Sequence, residues 1–256
     1  MTHPEYAERV VAFVDVLGFG TLVRQLDSDP SLHAKLHRAL SEIRLYKDSS
    51  LQKQTAQSNL EVSVFSDSIV ISGGRDDLHG VVWSAMHLQC SLLEIGVLVR
   101  GGISTGRTVH TSDILYGEGM LDAHALETKA AIYPRIILAP TLAEELEPGH
   151  RQLFFERDFD GLWFINPFSI GLTPRDADAL AEDGYCPFEE SLKKLGALIE
   201  LEVSRLTDVG QLAKWNWLKT QHSNAVVEFA KLGQPRFWHA WKTLEASKRN
   251  SAAPFE

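Results

Sequence analysis

The stretch VVAFVDVLGFGTLV (10–23) begins the fold, because it predicts a buried apolar strand. A carboxylate stands near the end of that strand. Residues 10–17 are rich in Val and Phe, which predicts a buried strand that contains Asp15. A second run, VSVFSDSIVIS (62–72), repeats the arrangement with Asp67 among apolar residues. A buried ionised carboxylate is costly unless it is paired or binds a metal. The two aspartates are therefore the first candidate site residues.

Two interpretations of these aspartates stay open from the residues alone. Two aspartates on neighbouring strands can meet at one end of a sheet and hold divalent cations over a triphosphate. Alternatively, each aspartate caps a turn or pairs with an arginine, and Asp15 simply ends its strand before Gly18 and Gly20.

The pattern further along the chain predicts strands alternating with helices. Helical spacing of apolar residues appears at 32–46 and 78–96, and a further helix is predicted from Met120 to about Ala131. Residues 60–72 predict a second strand or a hairpin arm, and further strands are predicted at 97–105 and 133–140. This order predicts an α/β or α+β fold with helices packed on one sheet.

The character of the sequence changes near residue 150. FFERDFDGLWFINPF (154–168) predicts a hairpin, and 188–247 is largely helical in pattern with four tryptophans. We expect a main domain at 8–147 and a hairpin with a helical extension at 148–256.

Composition limits the classes of function. The chain has 256 residues and a net charge of −9, and it has no run of Lys and Arg, so we expect no nucleic-acid partner. No apolar stretch reaches about 18 residues, which predicts no membrane span. Cys90 and Cys186 lack metal-ligand spacing, and MTHPEYAERV is unlike a signal peptide; reduced thiols in a cytoplasmic protein are expected.

Four segments in order resemble the class III nucleotidyl cyclase homology domain. They are FVDVLGF (13–19), FSDSIVI (65–71), VRGGISTG (99–106) and YGEGMLDAHALE (116–127). The resemblance covers roughly residues 8–140 and implies a ferredoxin-like core. RGGIS, AHALE and YPRI make the chain most similar to the pyrimidine cyclases of Pycsar antiphage defence.

The resemblance implies a set of site residues. Asp15 and Asp67, with the backbone carbonyl of Val16, would bind two Mn²⁺ or Mg²⁺ ions. The backbone amides of Gly18 and Phe19 would lie against the triphosphate. The remaining candidates are Tyr46 for the base, and Arg100, Lys129 and Arg135 for charge stabilisation.

The chain also departs from purine cyclases at the positions that read the base. Ser63 stands where those enzymes usually have Lys, and Ile114 occupies the other base-reading position. Leu121 and Ala125 align with the Asn and Arg that usually stabilise the transition state. Loss of the purine readers favours a pyrimidine substrate.

The resemblance thus implies conversion of UTP to 3′,5′-cyclic UMP and diphosphate, by a homodimer whose active sites lie at the subunit interface. The product would signal to a separate effector protein. The alternatives are a cytidylate cyclase, or a catalytically degenerate homologue that binds nucleotide or acts as a scaffold.

Other motifs carry less weight. GISTG (102–106) matches a nucleophile elbow around Ser104, but the β-branched residues that follow do not predict the helix which that elbow requires. His110 and His124 lie near the motif segments, and we expect them to be hydrogen-bonded or exposed histidines.

Overall fold

The computed structural model describes residues 4–48, 60–169 and 187–234, together with Arg236, His239 and Thr243. The strands are β1 Ala7–Val16, β2 Glu61–Phe65, β3 Ser68–Gly74, β4 Val99–His110, β5 Leu115–Gly117, β6 Ile136–Leu138, β7 Phe155–Arg157 and β8 Trp163–Ile165. The helices are α1 Phe19–Gln25, α2 Pro30–Asp48, α3 Leu78–Leu93, α4 Glu118–Ala130, α5 Pro140–Glu145, α6 Pro148–Phe154, α7 Pro187–Arg205 and α8 Val209–Leu232. A 3₁₀ turn at Arg75–Asp77 precedes α3.

All of these strands join one sheet in the order β2-β3-β1-β4-β6-β8-β7, with β5 paired to β4. The pairing of β4 with β6 is parallel, and the other described strand pairs are antiparallel. Strand β3 lies between β2 and β1, and β1 lies between β3 and β4. The order β1–α2–β2–β3–α3–β4 is therefore the double split βαβ of the ferredoxin-like fold. The α+β prediction is confirmed, and the segment 60–72, predicted as a strand or a hairpin arm, contains both arms of a hairpin, β2 and most of β3.

Strand β1 is buried on both of its faces, which explains its nearly continuous apolar sequence. Val10, Ala12, Val14 and Val16 belong to the large core that also includes residues of α2 and α3. Val11 and Phe13 point to the other face, where they form a smaller cluster with Val70 and Ala123 of α4. The carboxylate of Asp15 lies on this second face, because it follows Val11 and Phe13 in the two-residue period.

The hairpin near residue 150 continues the same sheet across the boundary predicted between 147 and 148. Strands β7 and β8 extend the sheet beyond β6 through the pair Ile137 and Phe164. Helix α8 is fastened to this hairpin by Trp217, whose Nε1 donates to Asp158 Oδ2 at 3.0 Å. The indole also stacks on Tyr133, with ring centroids 5.8 Å apart. The described part of the extension thus packs on the sheet.

Within the described residues, no helix has both the length and the apolar character needed to cross a bilayer. Ser104 lies in the interior of β4, so the strand–serine–helix turn of a nucleophile elbow is absent there. The one cysteine in the described residues, Cys90, is buried and is not disulfide-bonded.

Candidate active site

The fold brings Asp15 and Asp67 to the same edge of the sheet. Asp15 is the penultimate residue of β1, and Asp67 lies in the two-residue turn between β2 and β3. The amide of Val16 donates to the carbonyl of Asp67 at 2.8 Å, which fixes the turn against the end of β1. Two residues that are 52 positions apart in the sequence (Asp15 to Asp67) become neighbours because the β2–β3 hairpin pairs with β1.

The hairpin turn that carries Asp67 also contains a residue with an unusual backbone conformation. The preceding residue, Ser66, has a φ of 56°, which is the left-handed region that non-glycine residues rarely adopt. Asp67 itself is half-buried, and none of the described side chains pairs with its carboxylate. Backbone strain of this kind clusters at functional sites, where surrounding structure maintains it.

Arg100 lies directly opposite Asp15 on β4 and forms an ion pair with it. The Arg100 Nε donates to Asp15 Oδ2 at 3.3 Å and lies 2.6 Å from Glu127 Oε1. That glutamate oxygen nevertheless has no hydrogen-bond partner among the described residues, so the N–H points at Asp15. One cation therefore lies between two carboxylates, as the arginine-paired alternative for Asp15 anticipated.

Glu127 is the site residue that the sequence pattern missed. It is buried on the inward side of α4, and its Oε2 accepts a hydrogen bond from Thr128 Oγ1 at 2.9 Å. The signal available in the sequence was a single carboxylate at the end of the AHALE motif, four residues after the small residue Ala123. That spacing puts both side chains on one face of the helix.

Helix α4 reaches this position because β4 carries glycines beneath it. A Cβ added at Gly102 would lie 2.5 Å from the Ala123 carbonyl oxygen, and one at Gly106 would lie 2.6 Å from the Gly119 amide nitrogen. Side chains at these two positions would hold the helix away from the sheet. Gly102 and Gly106 of VRGGISTG therefore allow the helix to pack closely on β4.

Ser63 lies on the same face of the sheet as Asp15. Ser63 pairs with Val70 in the β2–β3 register, and Val70 pairs with Phe13 in the β3–β1 register. Side chains of directly paired residues share a face, so Ser63 faces the same side as Phe13 and Asp15. The row of Ser63 lies two residues along the strands from the row of Asp15.

A histidine reaches Ser63 from the end of β4. His110 Nε2 lies 2.9 Å from Ser63 Oγ, and its Nδ1 lies 2.8 Å from Ser72 Oγ. Arg9 Nε donates to the same Ser72 hydroxyl at 2.9 Å. His110 is thus a buried, hydrogen-bonded histidine, as expected. His124 instead packs edge-on against Phe13, with centroids 4.9 Å apart.

The glycine-rich segment after β1 adopts the conformation that glycine favours. Gly18 has a φ of 72° and stands at the N-terminus of α1, so it has a left-handed backbone. Its carbonyl accepts from the amides of Thr21 and Leu22, both at 3.0 Å. Gly18 and Phe19 follow Val16 directly, and their role against a triphosphate stays a prediction.

Lys129 and Arg135 are not gathered with the aspartates. Lys129 lies on α4 beside a shallow groove of about 340 Å³ that also contains Ser104 and Thr141 but none of Asp15, Asp67 and Arg100. Arg135 is 1% exposed, and its guanidinium pairs with Asp158 and Asp160 of the β7–β8 hairpin. We therefore expect Arg135 to stabilise the fold rather than bind substrate.

The remaining predicted positions differ in what the structure describes. Tyr46 falls within α2, but its side chain lies outside the described part of the chain. Ile114 and Leu121 are exposed, at 51% and 68%. Ala125 is half-buried on α4. The two positions that carry Asn and Arg in purine cyclases therefore present only apolar groups here.

The donor set at the sheet edge suits hard divalent cations. It offers two carboxylates and the carbonyl of Val16, and Mg²⁺ and Mn²⁺ prefer such oxygen ligands. No cluster of three His, Cys, Asp or Glu side chains forms a metal site within the described residues. A cation here would therefore need phosphate oxygens or water to complete its coordination. That requirement is typical of Mg²⁺ at nucleotide sites.

Comparisons with known proteins give structural likenesses only. No family model matches the chain, and no curated protein matches it. A bacterial light-regulated adenylyl cyclase structure is 13% identical with a TM-score of 0.41, covering 65% of this chain and 54% of the other. The adenylyl cyclase CyaB from P. aeruginosa is 14% identical with a TM-score of 0.38, covering 56% and 82%. The guanylyl cyclase Cya2 is 12% identical with a TM-score of 0.37, covering 64% and 94%. Since these TM-scores are below 0.5, we base no inference on them.

Proposed function

We propose that this chain is a pyrimidine nucleotide cyclase that converts UTP to 3′,5′-cyclic UMP and diphosphate. The observation that supports this most strongly is the meeting of Asp15 and Asp67 at one sheet edge, locked by the 2.8 Å bond from Val16 to Asp67. The motifs that carry the resemblance to class III cyclases fall on β1, the β2–β3 turn and β3, β4, and the segment β5–α4.

Acidic and basic residues would have different roles in this reaction. Asp15 and Asp67 would hold Mn²⁺ or Mg²⁺, and such ions activate the attacking 3′-hydroxyl and stabilise the leaving diphosphate. Arg100 would supply positive charge toward the phosphates, while Glu127 lies 2.6 Å from its Nε and helps to hold the guanidinium in place. Phosphoryl transfer of this kind depends on positioning and charge stabilisation.

The purine-reading groups are absent from the face that would receive the base. Ser63 replaces the usual Lys and is hydrogen-bonded to His110. Ile114 offers no hydrogen bond from its side chain. A pyrimidine, which is smaller and needs fewer hydrogen bonds, fits these positions better than a purine. Tyr46 remains the residue predicted to contact the base.

We further propose a homodimer. Three apolar side chains of the site region are exposed in the single chain: Phe65, Ile114 and Leu121. Phe65 shares a register row with Ser68 and Asp15, so it borders the site. Burial of these groups by a second copy would remove apolar surface from water. Signalling to a separate effector in antiphage defence completes the proposal, and we expect a cytoplasmic location.

A second candidate function is a catalytically inactive nucleotide-binding scaffold. The ion pair between Arg100 and Asp15 favours it, because a paired carboxylate is less available to a metal. The apolar Leu121 and Ala125 favour it as well. A scaffold would bind nucleoside triphosphate and release no product.

The test is turnover of the four nucleoside triphosphates by the purified chain with Mn²⁺, with products identified by mass spectrometry. We expect cyclic UMP as the main product, and Asp15→Asn and Asp67→Asn should each lower its rate at least a hundredfold. Asp76→Asn is the matched control, since Asp76 is exposed beyond the opposite end of β3. Nucleotide binding without product would support the scaffold, and mainly cyclic AMP or cyclic GMP would contradict the pyrimidine assignment.

A further inference from the structure

A directed chain of hydrogen bonds crosses the site face and ends at Ser63. It runs from Arg9 through Ser72 and His110, with successive donor–acceptor distances of 2.9, 2.8 and 2.9 Å. Ser72 is fully buried and His110 is 6% exposed, whereas Ser63 is partly open. These hydrogen bonds therefore run from the half-buried Arg9 through two buried side chains to Ser63, which a ligand can approach.

The direction of the chain follows from the chemistry of its members. Arg9 can only donate, so Ser72 Oγ accepts from it. The hydroxyl hydrogen of the buried Ser72 then needs an acceptor, and His110 Nδ1 is the one within hydrogen-bond distance among the described residues. His110 consequently carries its proton on Nε2 and donates to Ser63 Oγ. A neutral imidazole has one donor and one acceptor nitrogen, which this arrangement satisfies.

Ser63 can therefore act as a hydrogen-bond donor to a ligand. Its oxygen already accepts from His110, so its own hydroxyl hydrogen is free to donate away from the histidine. The position suits a base contact, because Ser63 lies on the same face of the sheet as Asp15. It is two strands away from Asp15 and two residues further along the strand direction. With strands about 4.8 Å apart and about 3.4 Å per residue, the separation is roughly 12 Å.

We propose that Ser63, oriented by His110 and Ser72, is a specificity-determining hydrogen-bond donor that reads a carbonyl oxygen on the pyrimidine. This inference rests on the proposed function. Uracil carries an acceptor, O4, where cytosine carries an amino donor. With cytosine, the Ser63 hydroxyl would face a second donor, and once covered by the bound base it would have no hydrogen-bond partner. The hydrogen bonds from Arg9 to Ser63 therefore favour UTP over CTP.

The first measurement tests the hydrogen-bond direction without any nucleotide. Nitrogen-15 chemical shifts of the His110 ring in the purified protein should show a protonated Nε2 and an unprotonated Nδ1 at neutral pH. Ser72→Ala should change this tautomer balance. A wild-type ring protonated on Nδ1 would overturn the proposal, whatever the activity of the chain.

The second measurement is the ratio of kcat/KM for UTP to that for CTP. A donor that loses its partner under a bound base lowers affinity by about 5- to 150-fold, so the wild-type ratio should be at least about fivefold. Ser63→Ala should bring the ratio to within about threefold of unity, and Ser63→Thr, which keeps the hydroxyl, should retain it. His110→Phe should also collapse the ratio, because it leaves Ser63 without its orienting donor. If these residues had a purely structural role, the substitutions would lower kcat/KM equally for UTP and CTP and leave the ratio unchanged.

The control is Ser84→Ala, which also removes a serine hydroxyl but lies on α3, where that hydroxyl donates to the Gly80 carbonyl. It should leave the ratio unchanged. If no cyclic product forms, the cyclase assignment fails, and the same ratio is measured as Kd values for UTP and CTP by calorimetry. Equal Kd values for the wild-type protein, or a ratio that survives Ser63→Ala, would overturn the assignment of Ser63.

Discussion

Gly102 lies where α4 crosses β4, and the structure predicts a large effect from one added methyl group there. A Cβ at this position would lie 2.5 Å from the Ala123 carbonyl oxygen and 2.6 Å from Leu126 Cβ. Carbon atoms in contact prefer about 3.5–4.0 Å, so the helix would have to move away by roughly 1 Å. The opposing atoms are backbone and Cβ, which cannot turn aside.

Overpacking of this kind costs about 1–3 kcal/mol. Because backbone stands on the opposing side, we expect Gly102→Ala to lower the free energy of unfolding by about 2–3 kcal/mol. In a chain of this size, 1 kcal/mol corresponds to about 2–4 °C in Tm, so Tm should fall by about 4–12 °C. The same shift moves Glu127 away from Arg100, and the proposed cyclase activity should fall with it.

Gly20→Ala is the matched control. Gly20 lies inside α1, its φ is not positive, and a Cβ there would meet nothing within 4 Å. Alanine in a helix is favoured over glycine by about 0.5–1 kcal/mol, so this variant should be slightly stabilised. Urea unfolding followed by circular dichroism gives both values. If Gly102→Ala unfolds at the same urea concentration as the wild type, the close approach of α4 to β4 is wrong.

Two further predictions concern titrating groups. Burial, reinforced by the charge of Glu94, raises the pKa of the Cys90 thiol to about 12. In a Cys186→Ser background, this thiol should therefore stay protonated at pH 8 and react with a disulfide reagent only after urea unfolds the chain. Rapid labelling of the folded protein would contradict the burial. Burial raises the pKa of Asp160, but hydrogen bonds from Arg135 and the Leu162 amide outweigh it and hold that pKa below the usual 3.8. The stabilisation is therefore complete above that pH and lost as the pH falls through the folded pKa. Asp160→Asn should cost more stability at pH 7 than at pH 3, measured by urea midpoints, and an equal cost at both pH values would refute the ion pair.

The aspartates show how far the sequence could lead toward the site. Asp15 and Asp67 were conspicuous because each interrupts an apolar run, and a charged group in such a run needs a compensating partner. Their proximity also followed from the pattern, since two neighbouring strands can end at one sheet edge. What the sequence could not decide was whether a cation from solution or Arg100 would face Asp15. The register of β1 with β4 places Arg100 opposite Asp15, and register depends on tertiary packing.

The local elements were predictable for a simple physical reason. Apolar periodicity marks which residues must leave water, so the helix at Leu78–Leu93 and strand β1 were visible in the chain. The hairpin at Glu61–Gly74 appeared as one strand or one hairpin arm because its turn residues, Ser66 and Asp67, carry no glycine or proline to mark it. The left-handed φ at Ser66 exists because both hairpin strands are held in the sheet.

The sequence by itself determined the alternation of strands and helices, the two unusual aspartates and the glycines of β4. Only the tertiary structure decided which residues share a face. It buried Glu127 beside Arg100, turned Arg135 toward Asp158 and Asp160 rather than the site, and linked Ser63 to His110 across 47 positions of the chain. The physical reason is that side-chain periodicity is a local property of the backbone, whereas strand order, register and helix docking are set by contacts between residues far apart in the sequence.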